Sequence, residues 1–73
     1  MQNLSKVKSE IEKHKNDYEY LDIATVELVN NELHITVEQM YDVDIEYILK
    51  LAKKYKLNCK LIVVDSEILM KVY

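Results

Sequence analysis

The sequence predicts a two-layer α+β domain with two helices and a four-stranded antiparallel sheet, in the order α-β-β-α-β-β. Two segments repeat apolar residues at helical spacing, and two pairs of segments alternate apolar and polar residues. Each alternating pair is joined by two residues that are typical of turns. We expect residues 1–73 to form one small domain, and a core of this size typically gives a net stability of about 3–5 kcal/mol.

The first element is a helix over about Asn3–Lys15. One stripe of apolar or half-apolar side chains recurs at steps of three and four: Leu4, Val7, Ile11, His14 and Tyr18. The chain contains no glycine, so asparagine is expected to supply backbone positions with positive φ. Asn16 is the predicted break after this helix.

The next two segments form a hairpin around Asn30-Asn31. A two-residue type I′ turn there pairs Val29 with Glu32. The apolar residues of both strands then lie opposite one another on one face: Leu28 with Leu33, Val26 with Ile35, and Ala24 with Val37. A slip of one residue would destroy this match, so the alternation also predicts the register.

The second helix is expected over about Val43–Lys56. Asp42 is its predicted N-cap, and Asp44 and Glu46 lie in the first turn, where negative charge is favourable. Lysines cluster near the predicted C-terminal end, where positive charge is favourable, and Asn58 is the predicted break. The predicted buried stripe comprises Ile45, Ile48, Leu49 and Ala52.

A second hairpin is expected from Cys59–Val64 and Glu67–Tyr73 around the turn Asp65-Ser66. In a two-residue register, Val63 faces Ile68, Leu61 faces Met70, and Cys59 faces Val72. A ferredoxin-like plait runs β-α-β-β-α-β, and moving its first strand to the end gives the present order. A circularly permuted plait therefore predicts that the C-terminal strand is central, beside Leu33–Val37.

Charge is segregated along the chain. Residues 17–46 carry nine carboxylates and no lysine, whereas residues 50–60 carry five lysines and no carboxylate, and arginine is absent. Carboxylates along an extended face can imitate a nucleic-acid backbone and so occupy a basic groove of another protein. The candidate partner-binding acids are Glu27, Glu32 and Glu38, which are expected on the uncovered face of the first hairpin, and Asp42, Asp44 and Glu46, which are close by in sequence. The alternative is a solvated face plus ordinary charge at a helix start.

The lysines Lys50, Lys53, Lys54, Lys56 and Lys60 permit a second hypothesis, a nucleic-acid-binding module. Such modules usually add arginine or stacking aromatic residues, and the net charge of −3 argues weakly against this function. Charge at a helix C-terminus is the simpler explanation of the lysines.

Apolar residues also mark the other face of the second hairpin: Ile62, Val64, Leu69 and Tyr73. Either the first helix crosses to this face and buries them, or they form an exposed patch that binds a partner. An exposed patch would support a homodimer or another protein docked on the sheet, and a structural homo-oligomer is the third hypothesis.

Nothing in the sequence predicts catalysis. Glu27 and His34 should lie opposite each other, which suits a stabilising pair better than a metal site, because two ligands are too few for zinc. Cys59 should face the core, and phosphate-binding loops rich in glycine are impossible here. We expect no enzyme activity, no cofactor and no metal.

The sequence therefore favours a small non-catalytic protein that binds and inhibits another protein. A single cysteine and the absence of a membrane-spanning run favour the cytoplasm. A phage or mobile-element protein that blocks a nucleic-acid-handling defence, as anti-CRISPR proteins do, fits the size and acidity; it would act in the host cytoplasm.

Overall fold

The computed structural model describes residues 2–73, and side chains from Asn3 onward. Two α-helices and four strands follow in the predicted order: α1 Gln2–His14, β1 Thr25–Val29, β2 Glu32–Val37, α2 Asp42–Lys54, β3 Cys59–Val64 and β4 Glu67–Val72. The strands form one antiparallel sheet in the order β1-β2-β4-β3. The prediction of an α+β fold with two helices and a four-stranded antiparallel sheet is confirmed.

Both hairpins have the predicted register. Val26 lies opposite Ile35 in the first hairpin, and Leu61 lies opposite Met70 in the second. The C-terminal strand β4 is central and pairs with β2, with Ile35 opposite Met70. This placement agrees with the strand order expected from the plait, while the circular permutation itself stays a prediction.

Both helices lie on the same side of the sheet. Val7 and Ile11 of α1 and Ile48 of α2 are fully buried in one cluster with Ile35 of β2 and Met70 of β4. The first helix therefore does not cross to the other face, and no helix within residues 2–73 covers that face. The cluster also contains Leu21, from a short 3₁₀ turn at Leu21–Ile23 that the sequence pattern did not indicate.

The second helix begins and ends differently from the prediction. Its N-cap is Tyr41, so Asp42 is the first helical residue and not the cap. Asp44 is fully buried, and its Oδ2 accepts the backbone N–H of Tyr41 at 2.9 Å. Leu49 was predicted to be buried but is 46% exposed. The buried stripe runs along Ile48 and Leu51, and Leu49 lies outside it, on the side of the helix that faces solvent.

Asparagine supplies only one of the positive φ values. Asn30 has a φ of 56°, but Asn31 is not positive, so the hairpin turn is not the predicted type I′, which needs both. Asn16 and Asn58 have no positive φ either; the residues that do are Lys56 and Asp65. The residues with positive φ lie where they do because the chain must change direction at the ends of the helices and strands.

Lys56 adopts its φ of 58° in a Schellman motif that ends α2. Its N–H bonds to the carbonyl of Lys53 at 3.1 Å, and the N–H of Leu57 bonds to the carbonyl of Ala52 at 2.8 Å. These bonds satisfy carbonyls at the helix end. The left-handed backbone at Lys56 is strained, because its Cβ approaches the following carbonyl oxygen.

Replacing Lys56 by glycine is expected to stabilise the protein by about 0.5–1 kcal/mol. Glycine removes the steric cost of left-handed backbone, which is roughly 1–2 kcal/mol, at the smaller cost of a more flexible unfolded chain. Urea denaturation would measure the change. Replacing the neighbouring exposed Lys53 by glycine is the control, and it should destabilise by about 1 kcal/mol because Lys53 is helical. Equal effects of both changes would contradict the strained left-handed backbone at Lys56.

Candidate protein-binding surface

The fold converts the charge segregation of the sequence into a charge difference between the two ends of the sheet. Val37 at the end of β2 lies opposite Ile68 near the start of β4, and Thr25 at the start of β1 lies opposite Thr36. One end of the sheet therefore collects residues just before β1, just after β2, at the start of β4 and just after β3. The carboxylates there define the acidic end: Glu19, Asp22, Glu38, Asp42, Asp65 and Glu67.

All side chains of the acidic end are exposed, and within residues 2–73 none of them forms an ion pair. Large apolar groups are exposed beside them: Ile23 is 72% exposed, Tyr41 52% and Val64 50%. The rings of Tyr20 and Tyr41 contact each other at 4.9 Å between centroids. A hydrogen bond with Tyr20 and the negative charge of Glu19 raise the pKa of the Tyr41 hydroxyl.

The opposite end of the sheet is rich in lysine, because α2 ends there and β3 begins there. Its members define the lysine end: Lys53, Lys54, Lys56 and Lys60. Lys54 contacts Glu10 of α1 at 3.3 Å and lies 5.3 Å from the ring centre of Tyr55. The Tyr55 hydroxyl in turn donates to Glu10. Tyr55 thus contacts side chains of both helices. Lys53, Lys56 and Lys60 remain exposed.

The predicted acidic face is partly neutralised. Glu27 and Glu32 lie on the sheet face without helices, as expected, and Glu38 follows β2 at the acidic end. The carboxylate of Glu32 contacts His34 at 2.9 Å and Lys71 at 3.9 Å. The hydrogen bond from His34 is the chief reason why the pKa of Glu32 is lowered.

The three acids predicted at the start of α2 separate in space. Asp42 is exposed and belongs to the acidic end, while Asp44 is buried and serves the helix start. Its second oxygen, Oδ1, has no hydrogen-bond partner among the described residues. Glu46 is exposed and lines a shallow groove of about 720 Å³, where the stacked rings of Tyr18 and Tyr47 form part of the wall.

The predicted apolar patch lies on the face without helices, but it is not continuous. Ile62 lies directly opposite Leu69, and both are half-buried. Lys60 and Lys71 form the next pair along the strands, so they separate Ile62 and Leu69 from Tyr73. Val64 is 50% exposed and borders the acidic end instead. The patch therefore divides into a part near the acidic end and an isolated tyrosine.

The structure brings Glu27 opposite His34, as predicted, but the hydrogen bond of His34 goes to Glu32 on its own strand. His14 lies 3.9 Å from Asp17 at the end of α1. Cys59 is half-buried against the core, and this burial raises the pKa of its thiol. Within residues 2–73, no group of three or more His, Cys, Asp or Glu residues is placed to hold a metal ion.

Carboxylate contacts should make the stability depend on acid pH. The pKa of Glu10 is lowered from 4.5, chiefly by the Tyr55 hydroxyl, and that of Glu32 chiefly by His34. At these two carboxylates the unfolded chain then binds protons more readily than the folded protein. Their stabilisation is therefore complete above pH 4.5, and it is lost as the pH falls through the lowered pKa values of the folded state. We expect the urea midpoint to fall on acidification below pH 4.5.

The matched variant is Glu10→Gln with Glu32→Gln, which removes both titrating groups. When the pH falls below 4.5, the urea midpoint of this variant should change less than the urea midpoint of the unchanged chain. An equal change in both proteins would show that these two carboxylates are not responsible.

No protein-family model matches this chain, and no curated protein matches its sequence. Within the described residues, no helix has both the length and the apolar character needed to cross a membrane. The functional interpretation therefore depends on the surface itself.

Proposed function

We propose that this chain is a small non-catalytic acidic protein that binds and inhibits another protein. The partner is expected to hold nucleic acid in a groove rich in arginine and lysine. The observation that carries the proposal is the acidic end, where carboxylates from residues far apart in sequence lie at the same end of the sheet and, within residues 2–73, form no ion pair. Such a concentration of one charge attracts a basic surface and competes with phosphates for it.

Exposed apolar side chains at the acidic end add surface that can be buried in a complex, which charge alone does not provide. Ile23, Tyr41 and Val64 lie among the carboxylates and would be removed from water in a complex. Tyrosine is frequent at binding hot spots because it buries a large ring and keeps a polar hydroxyl. In this mechanism the acids accelerate association, and the apolar groups slow dissociation.

The biological setting that suits this mechanism is defence against invading nucleic acid. A phage or mobile-element protein that works like an anti-CRISPR inhibitor would act in the host cytoplasm and would need no chemistry of its own. The small size of the chain and the concentration of carboxylates at its acidic end support this setting.

The second candidate function is direct nucleic-acid binding by the lysine end. Its support is that Lys53, Lys56 and Lys60 are exposed and, within the described residues, form no ion pair. Binding to a labelled oligonucleotide that weakens steeply with added salt would favour this function over the proposed one.

The proposal is tested by affinity capture from a bacterial lysate with mass-spectrometric identification. The variant Asp22→Lys with Glu38→Lys changes the acidic end, and Glu12→Lys with Asp17→Lys makes the same change in net charge elsewhere. We expect the unchanged chain and the control to retain a basic nucleic-acid-handling protein, and the acidic-end variant to lose it. Retention by all three, or by none, would overturn the proposed binding surface.

A further inference from the structure

The strand β3 is an edge of the sheet, and after the exposed Lys60 it lacks the features that normally protect an edge. Its central residues Leu61–Val64 are all apolar, and its pairing with β4 is continuous, without a bulge. The chain contains no proline. Exposed apolar edges of this kind are templates for pairing with another strand. The other edge, β1, carries the exposed charge of Glu27 at its centre.

Apolar groups are exposed on both faces of β3. Leu61 and Val63, which point to the helix side, are 44% and 67% exposed, because the helices do not extend over this edge. Val64, on the other side, is 50% exposed. A partner that stacked on one face would leave the other face in water, whereas a strand added to the edge would cover both.

The hydrogen-bond pattern shows which backbone groups face outward. Asn58 and Tyr73 exchange both backbone hydrogen bonds, at 2.7 and 2.9 Å. Hydrogen-bonded pairs alternate with non-bonded pairs along an antiparallel ladder. In β3, the backbone groups that bond to β4 therefore belong to the even-numbered residues. The N–H and C=O groups of Leu61 and Val63 therefore point away from β4, toward an added strand.

We propose that β3 pairs with β3 of a second copy of this chain, antiparallel, around a two-fold axis at Ile62. In this register Ile62 lies opposite Ile62 of the second copy, and Leu61 exchanges hydrogen bonds with its Val63. Two four-stranded sheets become one of eight strands. This register places Leu61, Ile62 and Val63 opposite apolar residues of the second copy.

Charge complementarity selects a second copy as the occupant. Antiparallel pairing places the lysine end of one copy, with Lys56 and Lys60, beside the Asp65 and Glu67 side of the acidic end of the other. The attraction acts twice, once on each side of the axis. A parallel arrangement would bring like charges together. Val64, Asp65 and Glu67 also belong to the proposed partner-binding surface, but the test of this proposal measures self-association and not the capture of another protein.

The test is sedimentation equilibrium over a range of concentrations up to high micromolar. We expect the unchanged chain to dimerise, and Val63→Pro to be a folded monomer, because its N–H is not used within the sheet. Leu28→Lys on the other edge strand is the control and should still dimerise. A monomeric unchanged chain, or a dimer that survives in folded Val63→Pro, would overturn the proposal.

A cysteine cross-link tests the register. On a Cys59→Ser background, Ile62→Cys places two cysteines opposite each other in a non-bonded pair, whose Cα separation of about 4.5 Å suits a disulfide. We expect mild oxidation to join Ile62→Cys into covalent dimers and to leave Val64→Cys mostly monomeric. The reverse result would overturn the axis at Ile62. A monomer that instead captures another protein's strand, and loses it in Val63→Pro, would overturn the second copy as occupant.

Discussion

Replacing Ile35 by alanine is expected to leave the protein largely unfolded at room temperature. Ile35 is fully buried at the centre of β2, between Val26 of β1 and Met70 of β4. Truncation of such a residue costs about 2–5 kcal/mol, through lost burial and the cavity that remains. A domain of this size has only about 3–5 kcal/mol in total, so the loss removes most of its stability.

Circular dichroism and urea denaturation would measure this effect. The control is Thr36→Ala, which changes the next residue on the face without helices and should cost less than about 1 kcal/mol. A loss of less than about 1 kcal/mol for Ile35→Ala would show that β2 is not at the centre of the core.

The second large effect is expected from Val7→Asp. Val7 lies on α1 and is fully buried against the sheet. The core cluster that contains Val7 consists of apolar side chains, so an ionised carboxylate there would be unpaired, and an unpaired buried charge costs several kcal/mol. We expect the variant to be unfolded at neutral pH, or to lose α1 from the sheet.

The control is Ser9→Asp, two residues further along the same helix and exposed. It should change stability by less than about 0.5 kcal/mol. Comparable stability of the two variants would contradict the position of α1. Because the sequence left the side of the sheet covered by this helix open, the comparison tests a feature that only the structure supplies.

Alternation and helical periodicity were sufficient to predict the elements and both hairpin registers. The pattern works because one face of each central strand, β2 and β4, is buried: Val26 and Ile35 can only face each other if every neighbour is also in register. Local backbone geometry was less predictable. The left-handed position after α2 falls on Lys56, since the Schellman motif depends on where the helix ends and not on the residue that suits it best.

The acidic end was only partly predictable. Glu38 and Asp42 were identified from their position in the sequence. Glu67 was not, and it lies beside Glu38 because β4 pairs with β2. Glu19 and Asp22 precede β1 in a segment without periodicity, where no pattern indicates position. The neutralisation of Glu32 depends on Lys71, which approaches it only because β4 pairs with β2.

The central claim is that the acidic end competes with nucleic acid for a partner protein. The direct measurement is displacement of a fluorescent nucleic acid from the captured partner, followed by polarisation while this chain is added. We expect the unchanged chain to displace the nucleic acid, and Asp22→Lys with Glu38→Lys to need at least roughly tenfold more protein, since close charge pairs across an interface are worth about 1.5 kcal/mol or more. Equal displacement by both, or binding without displacement, would contradict the claim.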